Sequence, residues 1–346
     1  MIKRKKAMLW KKEKNKTVRC DLCSRRCIIP NQKVGFCLVR KNIDGELYAL
    51  NYGKLIAVNI DPIEKKPLFH FLPNTFALSI AAAGCNFRCA YCQNWDISQI
   101  YVEKIANDII GEEYTPEAIV KTAFENDCKS ISYTYTEPTI FFEFAYDTAK
   151  LASKKNIANT FVTNGYMTPE AVKEISLYLN AATVDFKGNG NPEFYRKFAS
   201  VPDVQPIYDS LLEMKKRKIF IEITNLVIPE IGDKEEDLKK MVRWIVENLG
   251  EDIPFHLLRF FPHYKMSDFY PTPIKKIEKL AEIAEQEGLK FVYIGNVVGI
   301  DKENTICPNC KNLLIRRFGF NSEVIGLDKH GRCKKCGEKI NVVLTL

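Results

Sequence analysis

Residues 84–95 read Gly-Cys-Asn-Phe-Arg-Cys-Ala-Tyr-Cys-Gln-Asn-Trp, which places Cys85, Cys89 and Cys92 in a C-x3-C-x2-C spacing. Three thiolates this close in sequence can hold three irons of a 4Fe-4S cluster and leave the fourth iron open to a small ligand. A zinc knuckle is the alternative, but structural zinc takes four protein ligands. No further cysteine or histidine stands beside these three in the sequence. We call them the cysteine triad and interpret them as cluster ligands.

The overall composition is that of an ordinary globular protein, with 346 residues of which 46% are hydrophobic. This length predicts about two domains. No apolar run reaches about 18 residues, so we expect no transmembrane helix. The basic N-terminus lacks the apolar core of a secretion signal. In such a chain the twelve cysteines indicate metal sites in a reducing compartment rather than disulfides, and we expect a cytoplasmic location.

Positive charge is concentrated at the N-terminus. The formal net charge is +8, and residues 1–19 contain nine Lys or Arg against the single acidic residue Glu13. A contact with nucleic acid or another anionic surface is one interpretation. A solvated, partly disordered basic tail over 1–19 is the interpretation we favour.

A second group of cysteines follows this tail. Cys20, Cys23, Cys27 and Cys37 have the spacing C-x2-C-x3-C-x9-C, and four thiolates can close a zinc site or hold an iron–sulfur cluster. We favour structural zinc here and leave the auxiliary cluster as the alternative. Short alternating runs over 46–51 and 54–59 predict that residues 20–74 form a small cysteine-rich β module.

The third group stands near the C-terminus. Cys307, Cys310, Cys333 and Cys336 form two C-x2-C pairs, a pattern typical of a zinc ribbon. We expect zinc to stabilise a separate domain over 301–346, because each knuckle is too short to bury a core. A second iron–sulfur cluster is the alternative.

Between these modules, residues 75–300 alternate apolar, β-rich runs with amphipathic helical runs, which predicts βα units around a parallel sheet. This α/β pattern favours a full or partial (β/α) barrel over a doubly wound open sheet. The predicted strands are Phe76–Ala82, Ser130–Tyr135, Asn159–Thr163, Ala182–Phe186, Ile219–Val227, His256–Phe261 and Phe291–Ile294. Threonine–proline pairs at Thr115, Thr168 and Thr272 predict helix starts.

Polar residues follow the predicted strands where a barrel enzyme places its site, at the strands' C-terminal ends. The triad follows the first strand, and later strands lead into Glu137, Asn164, Asp185 with Lys187, and Asn225; the sixth contains His256 and Arg259. Singly, each has an ordinary explanation as a turn or a surface ion pair. Together they predict one site for a charged, hydroxyl-rich ligand.

These residues resemble the radical S-adenosylmethionine (radical SAM) superfamily, and within it the glycyl-radical-enzyme-activase branch that includes pyruvate formate-lyase activating enzyme. The resemblance implies that triad residues Cys85, Cys89 and Cys92 are catalytic and hold the cluster. It implies a pocket for S-adenosylmethionine formed by Tyr91, Glu137, Thr163, Asn164, Asp185, Lys187, Val227 and His256. Two departures stand out: Tyr135-Thr136 replaces the branch's double glycine, and Val162 replaces the aspartate of its ribose segment.

Further segments resemble the radical SAM enzyme of the AmmeMemoRadiSam system: the four-cysteine module, Asp61-Pro62-Ile63-Glu64-Lys65-Lys66-Pro67, Gly84-Cys85-Asn86-Phe87, and Val292-Tyr293-Ile294-Gly295-Asn296-Val297. This resemblance implies a Memo-like partner. An activase-like enzyme would take a glycyl hydrogen from a protein and draw electrons from a flavodoxin or ferredoxin. The alternatives are radical modification of RNA or a small molecule, and, outside enzymes, a metal-binding scaffold protein.

Overall fold

The structure is a computed structural model that describes residues 5–106, 108–297 and 299–346. The chain divides into two compact units. Unit 1 comprises Met1–Ile60, Ala77–Ala182 and Gln205–Ile219, and unit 2 comprises Asp61–Phe76, Thr183–Val204 and Phe220–Leu346. Residues of the central βα region therefore belong to both units.

The strands in chain order are β1 (Lys5–Lys6), β2 (Trp10–Lys12), β3 (Val18–Cys20), β4 (Ile28–Ile29), β5 (Arg40–Ile43), β6 (Glu46–Ala49), β7 (Lys54–Leu55), β8 (Ala57–Pro62), β9 (Phe76–Ala81), β10 (Glu112–Glu113), β11 (Ser130–Tyr133), β12 (Ala158–Thr163), β13 (Ala181–Lys187), β14 (Phe220–Val227), β15 (Phe255–Arg259), β16 (Val292–Gly295), β17 (Thr305–Ile306), β18 (Leu313–Phe318) and β19 (Asn321–Val324).

The α-helices are α1 (Trp95–Ser98), α2 (Pro116–Glu125), α3 (Phe142–Ser153), α4 (Pro169–Ile175), α5 (Pro192–Ala199), α6 (Gln205–Lys216), α7 (Glu235–Asn248) and α8 (Ile274–Gln286). Short 3-10 turns lie at Ile63–Lys65, Pro138–Phe141, Gly188–Gly190, Tyr264–Met266 and Asp301–Glu303. Among the described residues, no helix is long and apolar enough to cross a membrane.

The strand order confirms the predicted α/β class. The largest sheet has the order β16-β15-β14-β13-β12-β11-β9-β8. In unit 1, β11 pairs in parallel with β9 and β12; in unit 2, β15 pairs in parallel with β14 and β16. Because the strands follow chain order without a reversal, the doubly wound alternative is excluded. Within the described residues the order does not close on itself, which selects the partial barrel over the full one.

The strands that carry the site are buried and rich in apolar side chains. All residues of β11 are buried, and only one residue of β12 is partly exposed. Such strands are typical of a parallel sheet covered on both faces. Each of the seven strands predicted for the central region is present, with ends that differ from the prediction by one or two residues.

The described part of the predicted basic tail is folded. β1 pairs with β6, and β2 pairs with β3, so residues 5–20 contribute strands to two small antiparallel sheets of unit 1. Lys5 forms an ion pair with Asp147 at 2.6 Å, and Lys6 pairs with Glu46 at 3.0 Å. Lys5 and Lys6 therefore form a short strand and pair with acidic side chains. The local composition does not predict this pairing, because the partners are distant in the sequence.

Two predicted helix starts are confirmed and one is wrong in detail. Thr115 and Thr168 each accept a hydrogen bond from a backbone N–H of the helix that follows, Ala118 and Ala171 respectively. Thr272 makes no such cap, and α8 begins at Ile274 after Pro273. The hydroxyl of Thr272 instead donates to the carbonyl of Val227 at 2.6 Å.

The C-terminal strands of unit 2 share a core with the central sheet. Cys307, Leu314, Ile315 and Ile340 pack in one buried cluster with Phe69, Phe291 and Tyr293. The side chain of Arg317 is buried in the same region and stacks on Phe69, with its guanidinium carbon 4.2 Å from the ring centroid. Residues 301–346 therefore belong to unit 2 and share its buried cluster.

Candidate functional site

The cysteine triad lies in the loop that follows β9 in unit 1. Gly84, with φ of +104°, turns the chain away from the strand, a conformation that favours glycine. The backbone N–H of Phe87 donates to the Sγ of Cys85 at 3.4 Å, and the Sγ of Cys92 lies 3.1 Å from the hydroxyl of Ser98. These contacts are made within the loop and the helix α1 that follows it, and they hold the thiols of Cys85 and Cys92 in defined positions.

The donor set of the triad fits the cluster predicted for it. Burial raises the pKa of Cys85 well above its ordinary value, and the carboxylate of Glu137 and the thiols of Cys89 and Cys92 raise it further. A buried thiol in such surroundings becomes a thiolate only when cations compensate the charge, and a bound metal does so directly. Three thiols with no fourth cysteine in the loop match an iron–sulfur cluster with one open iron.

Glu137 connects the ends of β11 and β12. Its carboxylate is buried and accepts hydrogen bonds from the hydroxyl of Thr139 at 2.5 Å and from that of Thr163 at 2.7 Å. It also accepts one from the backbone N–H of Asn164 at 2.8 Å. Burial raises the pKa of Glu137, and these hydrogen bonds act in the opposite direction. The carboxylate therefore fixes the two strand ends relative to each other.

Asn86, to which the sequence analysis assigned no role in the site, links this pair of strand ends to the triad. It follows Cys85 directly and is fully buried. Its side-chain oxygen accepts from Asn164 at 2.7 Å, and its backbone carbonyl accepts from Arg25 at 2.6 Å. A buried residue held through both its side-chain oxygen and its backbone carbonyl is a positioning group, and the sequence signals for it were its place next to the first triad cysteine and its position in the family-resembling segment Gly84-Cys85-Asn86-Phe87.

Tyr135 retains the backbone shape expected of the glycine it replaces. Its φ is +63°, in the left-handed region that is costly for most side chains. Its carbonyl accepts a hydrogen bond from the side chain of Asn94 at 2.7 Å. The loop that leads to Glu137 thus keeps a left-handed turn without glycine.

A second group of predicted site residues lies in unit 2, at the ends of β13 and β14. Lys187 pairs with Asp185 at 3.1 Å, and the hydroxyl of Thr224 donates to the other carboxylate oxygen of Asp185 at 2.5 Å. The side chains of Lys187 and Asp185 are 19% and 25% exposed, so both reach solvent. Because Asp185 and Lys187 are two residues apart on one strand, their side chains lie on the same face of the sheet.

The remaining predicted residues are more deeply enclosed. Tyr91 is buried in unit 1. In unit 2, Val227 is fully buried. The Nε2 of His256 donates a hydrogen bond to the carboxylate of Glu222 at 2.8 Å, and its ring stacks on Tyr293. His256 is therefore fixed by side chains of its own unit.

The two four-cysteine groups differ in geometry. Across the described residues, the ligand atoms of Cys307, Cys310, Cys333 and Cys336 are the ones that gather within 4.8 Å of one another. The N-terminal cysteines form no such group, and neither does the triad. The N-terminal cysteines instead line one small cavity in unit 1.

The chain is similar in sequence to several known proteins. A family model described as the Radical SAM superfamily matches residues 79–245, a range that contains the triad but ends before His256. An uncharacterized protein of Methanocaldococcus jannaschii is 46% identical over 98% of this chain and 100% of its own length. A putative glycyl-radical enzyme activating enzyme of the same organism is 26% identical over 65% of this chain and 89% of its own. A pyruvate formate-lyase-activating enzyme of Clostridium pasteurianum is 23% identical over 57% and 82%.

Proposed function

Because the chain belongs to the Radical SAM superfamily, we propose that it is an activase-like enzyme that takes a hydrogen atom from a glycine of a partner protein. The observation that carries this proposal is the triad loop, whose three thiols lack a fourth cysteine and whose first member is joined through Asn86 to the end of β12.

The triad cysteines would hold the 4Fe-4S cluster, and when bound with S-adenosylmethionine this group would supply the one-electron chemistry needed to take a hydrogen atom from the substrate, with electrons from a flavodoxin or ferredoxin. The chain has to hold the reactants and exclude water, because the reactive species belongs to the cofactor.

We assign the triad cysteines to the cluster and the polar strand ends to S-adenosylmethionine. Glu137 and Thr163 position the backbone around Asn164, which would contact the ribose. In unit 2, Lys187 supplies a cation suited to the methionine carboxylate, and Asp185 orients it. Tyr91 and Val227 offer apolar surface for the adenine, and His256, a residue of β15 that is hydrogen-bonded to Glu222, acts as a positioning residue.

The partner class rests on the relatives. Two of them carry the names of activating enzymes, and such enzymes act on proteins. We therefore propose a protein substrate with an accessible glycine loop, and a Memo-like protein is the first candidate to test.

We also propose that the C-terminal cysteines bind zinc. The Sγ atoms of Cys307 and Cys336 are 3.6 Å apart, as are those of Cys310 and Cys333. Tetrahedral zinc with Zn–S bonds of about 2.3 Å separates its sulfurs by about 3.8 Å. The donor set and its spacing support a closed structural site.

The first experiment is an anaerobic assay of 5′-deoxyadenosine after reduction and addition of S-adenosylmethionine. We expect product from the wild type, and a loss of at least about 100-fold in Cys89→Ser because the cluster loses one of its three ligands. Cys128→Ser is the matched control, since this buried cysteine lies outside all three metal-binding groups, and it should retain activity.

A second arm adds a Memo-like protein and follows a glycyl radical by electron paramagnetic resonance. A radical signal that requires the intact triad supports the activase-like function. If product forms but no tested protein acquires a radical, the substrate is of another class, such as RNA or a small molecule. If a wild type with a fully loaded, reducible cluster forms no product, the enzyme proposal is wrong.

A further inference from the structure

The N-terminal cysteines surround a cavity in unit 1. The cavity is small, with a volume of about 20 Å³. Its lining is largely sulfur and apolar, and comprises Cys20, Leu22, Cys23, Arg25, Cys27, Ile29, Gly35, Phe36, Cys37, Arg40, Asn86, Thr139 and Ile140. A buried water needs two to four polar partners, whereas four thiols around one space offer ligands for a sulfur-bound metal group.

The spacing of the four thiols does not match a single zinc ion. In the C-terminal group, two Sγ pairs are 3.6 Å apart, as one tetrahedral ion requires. The N-terminal four do not gather in this way within the described part of the chain, although all four line one cavity. The irons of a cubane cluster occupy separate corners, so its four thiolates stand farther apart than those around one zinc. The ligand atoms of the triad, interpreted as cluster ligands, likewise do not all lie within 4.8 Å of one another in the described part of the chain.

A buried cation at the cavity provides independent support. Arg40 is 2% exposed, its Nη1 lies 3.9 Å from the Sγ of Cys20, and its Nε has no hydrogen-bond partner. Arg40 also pairs with the buried carboxylate of Glu143. A buried guanidinium with one N–H left unsatisfied is costly. Four metal-bound thiolates carry a net negative charge, whether around zinc or on an iron–sulfur core, so Arg40 supports an anionic group in this cavity, and the spacing of the thiols selects the cluster.

We propose that Cys20, Cys23, Cys27 and Cys37 bind a second 4Fe-4S cluster, in place of the zinc that the sequence pattern favours. The site adjoins the triad loop, because Asn86 both lines the cavity and follows Cys85. Arg25 reinforces this connection, since it lines the cavity and donates to the carbonyl of Asn86 at 2.6 Å. The cluster would therefore be coupled to the catalytic loop through directly bonded neighbours.

The test is the metal content of protein purified anaerobically from iron-replete cells, without chemical reconstitution. We expect about eight irons and eight sulfides per chain in the wild type, with one zinc. The triple variant Cys85→Ala/Cys89→Ala/Cys92→Ala should keep about four irons and the Mössbauer signature of a cluster with four cysteine ligands. This variant leaves the N-terminal site intact, so the result does not depend on activity.

The reciprocal variant is Cys23→Ala/Cys37→Ala, which should lose about four irons and keep its zinc. Cys310→Ala/Cys336→Ala is the matched control and should lose zinc alone. If the triad variant contains no iron, or if Cys23→Ala/Cys37→Ala loses zinc and keeps its iron, the N-terminal site is not a cluster site. Should Cys23→Ala/Cys37→Ala fail to fold, the iron content of the triad variant decides the question.

Discussion

At the scale of single residues, His70 shows how burial fixes a protonation state. Its Nδ1 lies 2.7 Å from the carbonyl of Asn341, which can only accept, so Nδ1 carries the proton. Its Nε2 then accepts from the hydroxyl of Tyr293 at 2.6 Å. Burial lowers the pKa of His70 from 6.5 to about 4. The folded protein therefore stabilises the neutral form of the His70 ring.

This pKa predicts a loss of stability in acid. Between pH 6.5 and about 4 the unfolded chain binds a proton at His70 and the folded chain does not, so the free energy of unfolding falls as the pH is lowered. The contribution is roughly 3 kcal/mol over the full window. Urea unfolding at several pH values measures it, and His70→Gln should show a shallower pH dependence.

The matched control for this measurement is His330→Gln. His330 lies in an exposed turn of unit 2, so we expect this variant to keep the wild-type pH dependence. An unchanged slope in His70→Gln, or an equal change in both variants, would contradict the assignment of the acid sensitivity to His70.

At the scale of secondary-structure elements, Thr168 caps helix α4 and also binds the N-terminal module. Its hydroxyl accepts from the N–H of Ala171 at 3.2 Å and donates to the carbonyl of Asp21 at 2.8 Å, which ties α4 to the N-terminal module. Thr168→Ala should lower the free energy of unfolding by about 2 kcal/mol, at the upper end of the range for caps. The exposed cap Thr115 accepts a hydrogen bond from the N–H of Ala118 at 3.2 Å. Its replacement by alanine should lower the free energy of unfolding by only about 1 kcal/mol.

Urea unfolding of Thr168→Ala, Thr168→Ser and Thr115→Ala separates the contribution of the helix cap from that of the hydrogen bond to Asp21. The serine variant keeps the hydroxyl and should recover most of the loss. Equal effects of the two alanine variants would show that the bond to Asp21 contributes nothing.

The same elements show what local sequence can predict. Thr115 and Thr168 were predicted as caps because a cap is a contact within four residues. Thr272 has the same local pattern, but its hydroxyl is engaged by Val227, 45 residues away. Likewise, the pairing of β1 with β6 depends on partners about 40 residues apart, which composition does not encode. Periodic strands and cysteine spacing predicted the fold class and the triad, whereas Asn86, Arg40 and Glu222 gain their roles only from distant partners.

At the scale of the whole molecule, the C-terminal cysteines belong to the core of unit 2. Cys307 and Cys333 are buried in one cluster with Phe291, which precedes β16, and Tyr293, which belongs to β16. Zinc bound there would therefore stabilise the sheet as well as the ribbon, because the binding free energy of a structural zinc is folding free energy.

We expect Cys310→Ser/Cys336→Ser to lower the melting temperature and to accelerate amide hydrogen exchange in β16 (Val292–Gly295) as well as in β18 (Leu313–Phe318). The reason is that the two strands share Tyr293 and Ile315 in one buried cluster, so loosening the ribbon exposes the edge of the sheet. Hydrogen exchange followed by mass spectrometry measures both strands at once, and Cys128→Ser provides the control for loss of a thiol outside the metal groups. Faster exchange confined to β18 would show that the ribbon opens alone, and that unit 2 keeps its sheet without it.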